Sequence, residues 1–174
     1  GIAVRGAMSC TVGCPYEGEV APSRVDYLAG LMKGIGVEHV GVADTIGVGN
    51  PVTVRRALEA ALRHFPLAEV SRHFHDTYGM ALVNVAASLE LGIATFDTSV
   101  AGLGGCPYAK GATGNVATED VVWLLQGLGI ETGIDLEALV DAGDFISGVI
   151  GKPTNSRVAR ALLAKRGRAL QVAA

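Results

Sequence analysis

Residues 39–75 read HVGVADTIGVGNPVTVRRALEAALRHFPLAEVSRHFH, and they contain one complete strand–helix–strand unit. The stretches HVGVA at 39–43 and VSRHFH at 70–75 are predicted as β-strands. Between them, Asn50 suits a helix N-cap and Pro51 the first helical position, and an amphipathic sequence follows. Strands that are joined through one helix pair in parallel, with the helix on a face of the sheet. This stretch therefore predicts an α/β fold built on a parallel sheet.

The same alternation extends along the whole chain. Ser23 suits the cap of an earlier helix, with Asp26 in the capping-box position, and Asp135 suits the cap of a later one. The remaining strands and helices are expected at 2–9, 80–91, 94–100, 118–128 and 156–165. Strand and helix thus alternate four times, which is half of an eight-stranded (β/α) barrel. We expect a single domain over residues 1–174.

Composition limits the classes of partner. Of the 174 residues, 49% are hydrophobic and 18% are charged, enough for a substantial core. The net charge of −3 argues against nucleic acid as the main partner. The apolar runs fall short of the roughly 18 residues of a membrane span, so no membrane partner is expected. The cysteines at 10, 14 and 106 are sparse and odd in number, which favours a reducing, cytoplasmic location.

Polar residues are expected where the strands end. In parallel α/β proteins, ligands bind at the carboxyl edge of the sheet. The sequence assigns these residues to that edge: Arg5, Asp44, His73, His75, Asp97 and Cys106.

The sequence HFHD at 73–76 is the first chemically informative cluster. Residues i and i+2 of a strand point to the same face, so His73 and His75 would share a cavity while Phe74 packs on the other face. A divalent cation suits two neighbouring imidazoles. The alternative is a pair of hydrogen-bonded core histidines; the acidic neighbour and the strand-end position favour the metal.

Two further oxygen-bearing side chains are candidates. Asn115 supplies an amide oxygen that suits Mg²⁺ or Mn²⁺ as a third ligand, although an asparagine in a turn is the alternative. Asp44 has three interpretations that the sequence leaves open: a carboxylate supporting the site, a proton acceptor, or the cap of a turn.

Cys106 lies in the glycine-rich stretch GLGGCPYAKGATGN at 102–115. Glycines on both sides of a thiol allow a loop to close tightly over a substrate. A thiol beside a cation and histidines can exchange protons near neutral pH. The alternative is an inert small residue in a turn. The glycines do not fit the spacing of either common phosphate-binding motif.

Four stretches together resemble 3-hydroxy-3-methylglutaryl-CoA lyases. They are VRGAMSCTVGCPYEG, GVADTIGVGNP, HFHDTYGMALVN and VAGLGGCPYAKGATGNVATEDVVWLLQGLGI. The HxHD motif is shared by a wider superfamily of metal-dependent barrel lyases and Claisen synthases. The glycine-rich stretch followed by ATED is more specific to the lyases.

The resemblance implies a (β/α)₈ TIM barrel of which this chain covers about the last four βα units and the C-terminal helices. It implies cleavage of 3-hydroxy-3-methylglutaryl-CoA into acetyl-CoA and acetoacetate, with Mg²⁺ or Mn²⁺, in leucine catabolism and ketone-body metabolism. The matched metal ligands are His73, His75 and Asn115. Catalytic roles are expected for Cys106, Asp44 and His73. Further matches are Arg5, on an inner strand, and Glu119, near the site.

The resemblance also implies that the first half of the barrel is absent, with its Arg-Asp pair and glutamate. A half-barrel would expose unpaired strand edges, so we expect association with a missing half or with a second copy, and an inactive chain alone. Two alternatives stay open. One is a Claisen-type condensing enzyme of the same superfamily, and the other is a non-catalytic barrel half that binds a cation, a CoA ligand or a partner half.

Overall fold

The computed structural model describes residues 1–105 and 114–172, with 168–172 as backbone alone. The described residues form two compact units. The first is Gly1–Asp97, and the second consists of Thr98–Gly105 and the chain from Gly114 onward. The expectation of one domain stays a prediction.

The first unit is built on a four-stranded parallel sheet with strand order β1-β4-β5-β6. Its strands are β1 (Arg5–Met8), β4 (His39–Asp44), β5 (Val70–Phe74) and β6 (Thr95–Asp97). A small antiparallel hairpin, β2 (Gly13–Cys14) and β3 (Gly18–Glu19), follows β1. The parallel sheet that the sequence predicts is confirmed.

Three helices connect the strands of the first unit: α1 (Pro22–Gly34), α2 (Pro51–Ala61) and α3 (Ala81–Leu89). The predicted start of α2 is confirmed, because the Asn50 side chain accepts hydrogen bonds from Val52 N at 3.0 Å and Thr53 N at 3.1 Å. The predicted cap of α1 is wrong. The N-cap is Ala21, with Pro22 as the first helical residue, so Ser23 already lies inside the helix and makes no capping hydrogen bond.

The two faces of the sheet differ as alternation requires. On one face Val40, Val42 and Phe74 are buried. On the other face lie the small residues Ala7 and Gly41 together with the polar residues of the candidate site. The face with Val40, Val42 and Phe74 packs against the helices, so the other face is the one available for a ligand.

The second unit contains a short 3₁₀ turn at Val100–Gly102 and the helices α4 (Thr118–Gly127), α5 (Leu136–Ile150) and α6 (Arg157–Val172). Its core is formed by Val122, Leu136, Val140 and Ala159. The predicted cap of α5 is confirmed, since Asp135 accepts from Glu137 N at 2.9 Å. Among the described residues, the helices are all too short or too polar to cross a membrane.

The predicted strand at 94–100 is shorter in the structure and ends at Asp97. Ala101 has φ +57° and ψ +11°, which is left-handed backbone and incompatible with an extended strand. The chain turns there before it enters the glycine-rich stretch.

Candidate active site

A cavity of about 470 Å³ lies on the polar face of the first unit. Arg5, His73 and Asp97 line it, each from a different strand. Glycines and alanines of β1 and β4 line most of the rest, together with Ser9 and Thr45, and these small side chains keep the space open. The polar residues can therefore meet a ligand on the sheet.

The two histidines lie beside each other at the carboxyl end of β5. Their ring centroids are 5.2 Å apart and the rings are nearly perpendicular, while Phe74 between them is buried on the opposite face. His73 Nδ1 lies 3.1 Å from the main-chain carbonyl oxygen of Asp97. Since a carbonyl only accepts, Nδ1 carries the proton and Nε2 keeps its lone pair. This arrangement suits a metal-ligating histidine.

Arg5 does not lie where the sequence places it. It is the first residue of β1, so its assignment to the carboxyl end of a strand is wrong. Its long side chain nevertheless reaches across β4 to hydrogen-bond Ser71 Oγ at 2.5 Å and to form an ion pair with Asp97. The guanidinium passes over Gly41, where a Cβ would lie at the ordinary contact distance of 3.5 Å from it. The guanidinium thus reaches the candidate site from the start of the strand.

Asp44 lies on the other face of the sheet from His73. It is fully buried and pairs in register with Phe74. Its carboxylate accepts hydrogen bonds from Val48 N at 3.1 Å and Gly49 N at 2.8 Å, which closes the turn after β4. The geometry is that of a turn cap. Burial raises the pKa of Asp44 despite these bonds.

Arg72 is buried beside Asp44 and is fully excluded from solvent. Its guanidinium lies 4.6 Å from the ring centroid of Phe74, and its nitrogens have no hydrogen-bond partner among the described residues. Burial lowers its pKa to about 9, and the charge of Asp44 opposes that shift. A buried charge pair therefore packs on the face of the sheet opposite the histidines, at the end of the strand that carries them.

Glu119 is also fully buried, in the first turn of α4. Its two carboxylate oxygens lie 2.9 and 3.1 Å from the backbone nitrogen of Ala101, which donates to them. Burial raises the pKa of Glu119. Its match to a carboxylate near the site thus corresponds to a side chain bound to the backbone at the start of the glycine-rich stretch.

Asn115 lies in the second unit, and the histidines lie in the first. Its amide nitrogen donates to the carbonyl oxygen of Leu103 at 2.7 Å, so its Oδ1 is the atom left for a cation. Cys106, the expected catalytic thiol, lies outside the described residues. Within the described chain, no three His, Cys, Asp or Glu side chains are grouped to hold a metal ion. The predicted ligand set of two imidazoles and one amide stays a prediction.

Ser71 and Arg72 received no role from the sequence. Ser71 lies two residues before His73, and that spacing places both on the same face of β5. Arg72 lies on the opposite face, where a positively charged side chain is unexpected because the strand is buried. The available signal for the buried pair was an arginine on the face of β5 that otherwise carries Val70 and Phe74.

The chain was compared with known proteins. A family model described as HMGL-like matches residues 2–146. A curated relative from Pseudomonas aeruginosa, named 3-hydroxy-3-isohexenylglutaryl-CoA/hydroxy-methylglutaryl-CoA lyase, is 57% identical over 94% of this chain and 55% of its own length. Other relatives carry lyase names with cytoplasmic or mitochondrial locations.

Solved structures agree with this match. A crystal structure of hydroxymethylglutaryl-CoA lyase from Pseudomonas aeruginosa matches with a TM-score of 0.90 and 57% identity, over 94% of this chain and 55% of that chain. An HMG-CoA lyase from "Acenitobacter baumannii", in complex with coenzyme A and 3-methylmalate, matches with a TM-score of 0.86 and 39% identity, over 90% and 52%.

The chain spans about half the length of the curated relatives it matches. Within that span, the parallel sheet, the helices on one of its faces and the sequence itself agree with a single family of TIM-barrel proteins. The chain belongs to the HMGL-like family.

Proposed function

We propose that this chain carries the cation-binding part of a carbon–carbon lyase that cleaves 3-hydroxy-3-methylglutaryl-CoA into acetyl-CoA and acetoacetate. The observation that supports it best is the pair of imidazoles 5.2 Å apart, with the proton of His73 directed to a main-chain carbonyl. The names of the relatives supply the substrate class.

In this proposal His73, His75 and Asn115 would hold one Mg²⁺ or Mn²⁺ ion, which would supply Lewis-acid activation of the substrate's tertiary hydroxyl. His73 contributes Nε2 in a fixed tautomer, since Asp97 holds its Nδ1 proton. Arg5 offers a guanidinium to the anionic acid group of the substrate from the same cavity.

The reaction needs two proton movements. The substrate hydroxyl would give its proton to a base, which we assign to the βα units that this sequence does not contain. The hydroxyl oxygen would then form the carbonyl of acetoacetate as the C2–C3 bond breaks, and the electron pair of that bond would pass to the thioester as an enolate. We assign Cys106 as the acid that protonates the enolate carbon and so yields acetyl-CoA. Asp44 supports the site in this scheme, because its turn approaches the His75 carbonyl so closely that a Cβ on Gly47 would lie 2.8 Å from that oxygen.

We also propose that turnover needs βα units that the relatives have and this sequence does not contain. The chain spans about half of those relatives. Within the first unit, the outer edges of β1 and β6 have no partner strand among the described residues. Apolar side chains are also exposed at Tyr27 and Leu31 of α1 and at Ile35, its C-cap. Either a missing half or a second copy would cover these surfaces, and sedimentation of the purified chain distinguishes the two. For location we propose the cytoplasm, on the sparse cysteines alone.

Calorimetric titration with Mn²⁺ tests the cation site. We expect His73→Ala and His75→Ala each to weaken Mn²⁺ binding by about tenfold or more. His39→Ala is the matched control, because His39 is an exposed histidine on the neighbouring strand. Equal binding by all the variants would contradict the assignment of the ligands.

Product analysis tests the reaction. The purified chain is supplied with 3-hydroxy-3-methylglutaryl-CoA, or with acetyl-CoA and a 2-oxo acid, alone and with the upstream βα units of a relative. We expect acetoacetate only in the complemented sample. Condensation product would favour the synthase alternative, cation binding without turnover in any sample would favour a non-catalytic half, and acetoacetate from the chain alone would refute the need for a partner.

A further inference from the structure

Ala101 holds a backbone conformation that alanine rarely adopts. Its φ is +57° and its side chain is fully buried. The left-handed conformation is unfavourable in free energy for an L-residue that has a Cβ, and glycine does not incur this cost. A contact elsewhere in the structure must therefore hold this residue in place.

The Glu119 carboxylate provides that contact. The Ala101 N–H donates to Oε1 at 2.9 Å and to Oε2 at 3.1 Å. The carboxylate fits against α5 only because residue 143 is glycine, since a Cβ there would lie 2.5 Å from Oε1. Both oxygens are buried and bound to backbone, which leaves neither one to exchange a proton with a substrate in this conformation.

Successive hydrogen bonds hold the backbone from Ala101 to Leu103. The Ala101 carbonyl accepts from Asn155 N at 2.9 Å, and the Gly102 carbonyl accepts from Asn155 Nδ2 at 3.2 Å. The Leu103 carbonyl then accepts from Asn115 Nδ2 at 2.7 Å. This last bond decides which way the Asn115 amide faces, and hence where its Oδ1 lies.

We propose that Glu119 is a positioning residue: by holding Ala101 in its left-handed conformation, it places the Leu103 carbonyl that orients the Asn115 amide. This inference rests on the proposed function only for the role of Asn115 as a cation ligand. Glu119 acts through backbone and through Asn115, and it takes no part in proton transfer.

Hydrogen exchange of the Asn155 amide tests the positioning step without any turnover. In Glu119→Ala, we expect this amide to exchange on the order of tenfold faster, because the Ala101 carbonyl is no longer fixed. The Leu139 amide, which donates to Asp135 within α5, is the internal reference and stays unchanged. Glu131→Ala, at an exposed glutamate of the same unit, is the matched control.

Two variants separate positioning from the loss of a charge. Glu119→Gln keeps a carbonyl oxygen that accepts from Ala101, so Asn155 protection should be retained. Glu119→Ala combined with Ala101→Gly should regain most of the protection, because glycine adopts the left-handed conformation without help. A structural defect unrelated to Ala101 would not be rescued in this way.

Mn²⁺ affinity reports the effect on the site. We expect weaker binding in Glu119→Ala, by about tenfold, and recovery in the double variant. Unchanged Asn155 exchange in Glu119→Ala, or no rescue by Ala101→Gly, would overturn the inference. If Glu119→Ala fails to fold, Glu119→Gln decides: loss of Asn155 protection in that variant would also overturn it. If the wild-type chain binds no Mn²⁺, the cation proposal fails, while the exchange measurement still decides the role of Glu119.

Discussion

The buried pair of Asp44 and Arg72 makes a sharp prediction about stability. Both side chains are fully excluded from solvent, and the guanidinium nitrogens have no hydrogen-bond partner among the described residues. Burial disfavours both charges, since it raises the pKa of Asp44 and lowers that of Arg72 to about 9. Their mutual attraction thus offsets only part of the cost of desolvation.

Removing one charge of such a pair leaves the other uncompensated. We expect Asp44→Asn to lower the free energy of unfolding by about 3–5 kcal/mol, because the Arg72 cation then has neither a counter-charge nor a hydrogen bond. Arg72→Met removes that buried cation with little change in volume. The change in the free energy of unfolding that Arg72→Met causes should therefore be more favourable in the Asp44→Asn background than in the wild type, by roughly 2 kcal/mol or more.

A double-mutant cycle from urea unfolding, followed by far-UV circular dichroism at neutral pH, measures this coupling. The exposed pair of Lys33 and Glu69, 2.8 Å apart in the same unit, is the control and should couple by less than about 1 kcal/mol. If the effects of Asp44→Asn and Arg72→Met add to within about 0.5 kcal/mol, the two charges do not interact and the reasoning fails.

Two further predictions concern buried carboxylates of α4. Burial raises the pKa of Glu119 above its ordinary value of 4.5, so the folded chain binds that proton more tightly than the unfolded chain does. The contribution of Glu119 to the free energy of unfolding should be fully present below pH 4.5 and be lost as the pH rises through the raised pKa. A pH series of urea midpoints should show this loss reduced in Glu119→Gln, and an unaltered pH dependence would refute the assignment. Asp120 accepts hydrogen bonds from Ser156 Oγ at 2.6 Å and from Val158 N at 2.9 Å, at the start of α6. Asp120→Ala should therefore lower the free energy of unfolding by about 2–4 kcal/mol in the same assay. A decrease no larger than that of Asp144→Ala, at an exposed aspartate, would show that these bonds contribute nothing.

Local signals in the sequence were sufficient for much of the fold. Asn50 and Pro51 fix the start of α2 through contacts within three residues, and Asp135 does the same for α5. The alternation of His73, Phe74 and His75 also follows from strand geometry alone. Such features depend on neighbours in sequence, so no tertiary information is needed to predict them.

The features of the structure that the sequence did not predict depend on long-range contacts. Arg5 reaches the site from the start of its strand because its side chain extends past Gly41, 36 positions further along the chain, to Ser71 and Asp97. The Glu119 carboxylate accepts a hydrogen bond from the backbone N–H of Ala101, which lies 18 residues earlier, on the other side of the glycine-rich stretch in sequence. Residue type and spacing do not specify which backbone N–H a buried carboxylate will meet, because that depends on how α4 and the turn pack.

The hydrogen bond between His73 and Asp97 has a consequence for how the candidate site tolerates mutation. Its acceptor is the main-chain carbonyl of residue 97, which every amino acid carries. Replacing the Asp97 side chain would release Arg5 but would leave the protonated nitrogen of His73 where it is. The tautomer of this histidine is therefore inherited from the pairing of β5 with β6, and it survives any sequence change that keeps those two strands in register.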